Sequence, residues 1–129
     1  MKKKILFFCP SIEDGGVEKN LINIVNNLSN NFNIILLTAN FNKKKLFVSN
    51  IDFVSPKNTF FNNKSRLLKS LCCIYLFIKN FANKKIIIIS FQANVLSIIL
   101  AKLFNKKIII RSNASPNYYA KNILKKKFM

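Results

Sequence analysis

Gly15 and Gly16 stand side by side, after an apolar run that ends at Cys9 and Pro10 and before a segment with helical spacing. A glycine pair at a strand-to-helix turn lets the backbone come close to a ligand, and the free amides of a helix start point at an anion or a hydroxyl. A phosphate or a sugar hydroxyl suits such a place, although a tight turn with no ligand uses the same residues. The spacing is neither the dinucleotide pattern GxGxxG nor a P-loop, which ends in GK[ST]. Glu13 and Asp14 favour the helix start electrostatically, whatever else they do.

A second point of chemistry is Arg111, one of only two arginines, which ends a run of three isoleucines. A charge there is costly without a partner, so Arg111 either meets an anionic or hydroxyl-rich ligand or closes an ordinary ion pair at a solvated strand end. Ser112, Asn113 and Ser115 follow it with hydroxyl and amide groups that bind sugars and are equally common in turns. Much other chemistry is excluded by composition. The chain has no histidine, so the usual general base near neutral pH is missing. Its carboxylates are Glu13, Asp14, Glu18 and Asp52, and the first three are too crowded to resemble the opposed pair of a glycoside hydrolase. Hydrolysis is not expected. Cys9, Cys72 and Cys73 form neither a disulfide framework nor a CxxC pair, which points to a reducing compartment and away from structural zinc.

Residues 4–9, KILFFC, read as a strand buried on both faces. Val17, Leu21, Ile22, Val25 and Leu28 recur at the spacing of one helical face, with Lys19, Asn20, Asn23, Asn26 and Asn27 between them, so a helix begins close to Gly16. Residues 32–38, FNIILLT, form a second strand, and residues 51–55 a short third. A polar turn spans 40–45 and an Asn-, Lys- and Phe-rich loop 57–64. The helical period returns at Leu67, Leu68, Leu71, Tyr75, Ile78 and Phe81, predicting a second helix over 65–82. Residues 86–90, IIIIS, are the clearest strand. Residues 95–104 are apolar on nearly every side, as expected of a helix packed tightly on a sheet. Residues 108–111 make a last strand, followed by a polar loop and a basic segment at 118–127. Buried strands alternating with helices define an α/β, Rossmann-like parallel sheet with helices on both faces. Ligands bind such sheets at the carboxyl ends of the strands, which here means residues 10–17, 90–94 and 111–117.

At 129 residues the chain has room for one domain. Its formal charge of +18 raises nucleic acid or an anionic membrane as partners. Twenty of the 22 basic residues are lysines, in a chain also crowded with Asn, Ile and Phe, and AT-rich codons produce that joint bias. The apolar runs are too short and too interrupted by lysines to span a bilayer, and no export signal is recognisable after Lys2, Lys3 and Lys4. A cytoplasmic location follows, with peripheral contact at an anionic membrane surface as an added expectation.

The stretch ILFFCPSIEDGGVEKNLINIVNNLSNNFNIILLTAN resembles the opening of glycosyltransferase family four, and IIIISFQANVLSIILAKLFNKKIIIRSNASP resembles the fourth and fifth strands of the same N-terminal domain. The resemblance implies a GT-B enzyme in which residues 1–129 are the acceptor-side domain, without the domain that binds the donor. The short form would be a natural protein, one half of a split gene whose C-terminal half is encoded separately, or an incompletely read gene. The implied cosubstrate is a nucleotide sugar, UDP- or GDP-linked, and the acceptor a saccharide or lipid-linked precursor of a surface polysaccharide; no other cofactor, no metal and no specific nucleic acid are implied. Gly15 and Gly16 would lie against the donor's phosphates or sugar, and Ser90, Gln92, Arg111, Ser112 and Asn113 would line the acceptor side. Many members carry a histidine where Phe91 and Gln92 stand here, so that role has no counterpart. Retaining transfer of this kind relies on the donor phosphate as base, which leaves activity compatible with the missing histidine. A basic module for nucleic acid or a membrane surface is the alternative from another class. A nucleotide-binding epimerase is disfavoured by Thr38 and Asn40, which stand where an acidic residue would end the second strand.

Overall fold

The computed structural model describes residues 1–13 and 15–111. Asp14 and residues 112–129 lie outside them, and with these Ser112, Asn113, Ser115 and the basic segment at 118–127. Five strands form one all-parallel sheet: β1 (Lys4–Phe8), β2 (Asn33–Leu37), β3 (Asp52–Val54), β4 (Ile87–Ser90) and β5 (Lys107–Ile110). Their spatial order is β3-β2-β1-β4-β5. In β1, Leu6 is paired with Ile35 on one side and Ile88 on the other. The central strand is thus apolar because both neighbours and both faces cover it.

Three helices connect the strands: α1 (Gly16–Leu28), α2 (Arg66–Phe81) and α3 (Asn94–Leu103), with a short 3-10 segment at Phe41–Leu46 where a polar turn was expected. The period-two alternation of β1 divides the core. Ile5 and Phe7 pack with Leu21 and Val25 of α1 on one face, while Leu6 and Phe8 pack with Cys73 and Phe77 of α2 and Leu100 of α3 on the other. The Rossmann-like α/β arrangement, with helices on both faces, is therefore present.

Both expected helices are present, and each leaves much apolar surface outside. The apolar series on α2 does mark a helix, but Leu67, Leu68, Leu71, Tyr75 and Ile78 face outward, and of that series only Phe81 is buried. The inner face is Lys69, Ser70, Cys73, Phe77 and Phe81. A helix apolar on both sides offers two stripes of the same period, and period alone does not choose between them. Likewise α3 rests on the sheet, as expected, along the side that buries Ser97, Leu100 and Ala101, and leaves its remaining apolar residues outside.

Candidate functional site

Strand order reverses between β1 and β4, which leave the sheet in opposite directions toward α1 and α3. The crevice at their carboxyl ends is where such sheets take ligands. Its floor is the segment from Cys9 to Glu13, held from both sides. On the β2 side, Asn40 Oδ1 accepts from the Ile12 amide at 3.1 Å, and the Thr38 hydroxyl donates to the Pro10 carbonyl at 3.3 Å. On the β4 side, Gln92 Oε1 accepts from the Ser11 amide at 2.9 Å, and Gln92 Nε2 lies 3.5 Å from Glu18 Oε1 as a long donor contact. The backbone polar groups that a loop would otherwise leave unmatched are thus fixed by side chains of neighbouring loops.

Gly15 caps α1 in an extended conformation, and its carbonyl accepts the first helical bond, from Lys19 N at 3.1 Å. A β-carbon on Gly15 would stand 2.7 Å from Glu18 Oε2, so this glycine makes room for the protein's own carboxyl group. Glu18 is buried, and it occupies the helix start where an anion would otherwise sit. Gly16 differs: nothing lies within 4 Å of where its β-carbon would be. Close approach from outside is open at Gly16 and already taken at Gly15.

Ser90 does not line the crevice. It is fully buried, donates to Asn94 Oδ1 at 2.8 Å and accepts from Ser97 Oγ at 2.7 Å, closing the turn from β4 into α3. Asn94 Nδ2 in turn donates to the Arg111 carbonyl at 3.3 Å, and the Arg111 amide donates to the Ser90 carbonyl at 3.1 Å. These bonds bring the end of β5 beside the end of β4. The Arg111 guanidinium lies 4.9 Å from the centre of the Phe91 ring, and its buried Nη1 has no hydrogen-bond partner among the described residues. Stacking on an aromatic face supports the cation while leaving its N–H fork available to an acceptor.

Three contributors were not legible in advance. Lys69 is buried on the inner face of α2 and donates to Ser11 Oγ at 3.3 Å. Thr38 and Asn40 brace the floor, where the sequence shows only the lack of an acid. Glu13 pairs with Arg66 at 3.0 Å, and that bond holds its carboxyl below the usual range, aided by the Arg66 charge. At the start of the floor, burial and then the nearby Glu18 push the Cys9 thiol up to about 12, so it is not a nucleophile at neutral pH.

Two cavities of about 490 and 300 Å³ lie elsewhere, at the amino-terminal end of the strands, sharing Ile35, Asp52, Phe81 and Lys84. They are enclosed by the end of α2 and the edge strand β3, and none of their lining residues belongs to a helix start. The crevice is the better candidate despite being open, because it gathers a helix start, an available guanidinium and the switch in strand order. Searches of protein-family models, curated proteins and solved structures find no match to this chain. The fold defines a class, a Rossmann-like α/β protein, and its crevice at the switch in strand order is a candidate site.

Proposed function

We propose that this chain is the acceptor-side domain of a retaining glycosyltransferase of the GT-B type, and that its crevice holds hydroxyl-rich ligand at the open backbone beside Gly16. The carrying observation is the contrast between the two glycines. Gly15 is filled by Glu18, whereas Gly16 offers uncovered backbone at a helix start. A phosphate placed at Gly15 would face the Glu18 carboxylate, so the sugar fits this end of the crevice better than the diphosphate. Arg111, with a buried N–H that has no partner among the described residues, suits the anionic or hydroxyl groups of the acceptor.

In the proposed reaction the bond between the anomeric carbon and the donor phosphate oxygen breaks. A bond from that carbon to the acceptor hydroxyl oxygen forms on the same face, and the hydroxyl proton passes to the departing diphosphate. No side chain of this chain is needed as base, in keeping with the absence of histidine. This chain's part is positioning: the braced floor fixes the backbone against which donor sugar and acceptor meet, and alignment of that kind accounts for much of enzymatic rate. Alone, it transfers no sugar, because the nucleotide is held by a second domain.

The test is amide NMR of the chain titrated with short saccharides and, separately, with UDP- and GDP-sugars. Saccharides should shift the signals of residues 15–18, 92 and 111, nucleotide sugars should bind weakly, and no sugar should be transferred. Robust transfer by the chain alone, or saccharide shifts confined to the amino-terminal cavities, would overturn the assignment.

A further inference from the structure

The outward sides of α2 and α3 are apolar. Leu71, Tyr75 and Ile78 on α2, and Val95, Ile99 and Leu103 on α3, are each between 47% and 74% exposed. Both helices cover the same face of the sheet, and they meet where Phe77 packs on Phe104 with ring centres 5.9 Å apart. The two stripes therefore look out to the same side. With a 1.5 Å rise per residue the stripes run about 11 Å along α2, from Leu71 to Ile78, and about 12 Å along α3, from Val95 to Leu103. On the opposite face, α1 exposes a single large apolar side chain, Ile24, at 38%.

Charge decides what fits this face. Lys79 and Lys102 are exposed among the apolar residues, and Lys84, Lys85 and Lys107 lie exposed at the end where both helices finish. No Asp or Glu follows Asp52, while fifteen lysines and arginines do. Glu13, which reaches the start of α2, is paired with Arg66. A second copy would set lysines against lysines. A nucleic acid would pair the lysines but leave the apolar centre unmatched, since its affinity comes from the phosphates. An anionic bilayer matches both parts: the side chains enter the acyl boundary, and the lysines extend along their stems to the headgroups.

We infer that the α2–α3 face is a membrane-docking surface that seats this protein, sheet face down, on anionic phospholipid. The inference does not depend on the glycosyltransferase reading and its failure would leave that reading untouched. The crevice opens at the ends of the strands, so a protein seated this way holds it at the side of the contact, level with the bilayer surface rather than pressed into it.

Co-sedimentation of the 129-residue chain with vesicles tests the seat. Binding is expected to phosphatidylcholine vesicles containing phosphatidylglycerol, and to be much weaker with phosphatidylcholine alone. Leu71→Glu combined with Ile99→Glu should abolish it. Lys79→Gln and Lys102→Gln should each weaken it about fivefold, and Asn23→Glu on α1 should not reduce it. Because the chain has no tryptophan, Tyr75→Trp supplies a single fluorescent reporter, whose emission should be quenched by brominated lipid even if another variant misfolds. Equal sedimentation of the wild-type chain and the double glutamate variant, or unquenched emission from the Tyr75→Trp variant, would overturn the proposal. So would a salt-resistant dimer that the glutamates disrupt in the absence of vesicle binding, or preferential binding to duplex DNA.

Discussion

Helices α1 and α2 run beside the same sheet, one on each face, and both carry apolar residues at helical spacing. They resolve that pattern in opposite ways. In α1 the intervening residues are Asn and Lys, so one stripe only can be buried, and Leu21 and Val25 are. In α2 eleven of sixteen positions are apolar, and the stripe that goes inside contains a lysine and a serine while leucines and a tyrosine remain outside. Periodicity places a helix; the polar residues opposite determine its rotation. Where those are missing, the position of the crevice intervenes, because Lys69 reaches Ser11 only if the helix turns this way.

The comparison is most directly broken by truncating each side of α2. Phe77→Ala, which removes a fully buried ring packed on Phe81 and Phe104, should cost about 3–5 kcal/mol. Leu71→Ala on the outer side should change stability by no more than about 0.5 kcal/mol. Denaturant unfolding of both variants measures this, and similar losses would mean the helix is rotated otherwise.

At the start of α1, Gly16→Val should leave folding within about 1 kcal/mol of the parent, since its side chain enters open space. On the proposed transferase reading, in an enzyme completed by a donor-binding domain, it should lower kcat/KM by roughly tenfold to hundredfold, by displacing the proposed ligand. Parallel losses of melting temperature and activity would show that Gly16 is structural. Gly15 is the useful control, since a side chain there displaces Glu18 first.

The adjacent cysteines sharpen the rotation of α2 further. Burial raises both thiols above their ordinary value, but Cys73 is enclosed and Cys72 only half-buried. Iodoacetamide should therefore modify Cys72 well before Cys73 or Cys9, as mass spectrometry of peptides would record. The same shifts set an alkaline limit. Thiols whose folded pKa is raised add stability that is fully present below the unfolded value, about 8.5. That contribution is lost as pH climbs through the folded value, about 12 for Cys9. Unfolding midpoints should fall on titration upward from about pH 9, and a flat profile would contradict the burial.

The smallest effect belongs to the exposed pair that links the crevice floor to α2. Glu13→Gln should cost only a few tenths of a kcal/mol at neutral pH, since Glu13 and Arg66 are both well solvated. Glu13's carboxyl is lowered in the fold, so its contribution exists above the ordinary carboxylate range and disappears as pH falls through the lowered value. Variant and parent should then converge in acid. A persistent gap would imply a packing role instead.

Most of the fold was legible because strands buried on both faces leave unbroken apolar runs. The expected strand at 86–90 became β4, and even the three-residue β3 fell inside the expected 51–55. The candidate site was legible only as far as the backbone dictates it. The double glycine and the strand-end Arg111 signal themselves, because each is locally expensive to place. Thr38, Asn40 and Lys69 carry no local signal for this role, since the floor groups they bond lie at least 28 residues away in sequence and are brought near only by the fold. Ser90 misleads for the related reason that a hydroxyl at a strand end serves a turn as readily as a ligand, and here it bonds Ser97 and Asn94.

One consequence follows from where β4 sits. The floor of the crevice is pinned by a bond between Ser11 and Gln92, residues 81 positions apart, and β1 acquires its second neighbour only through β4. On a ribosome adding about 5–20 residues each second, roughly 4–16 s separate the synthesis of these two strands. Through that interval the free edge of KILFF, with two phenylalanines, has no partner from its own chain. An open apolar edge is a template for pairing with other molecules. The strand that leads into the floor of the candidate crevice is thus also the one that a nascent chain most needs shielded.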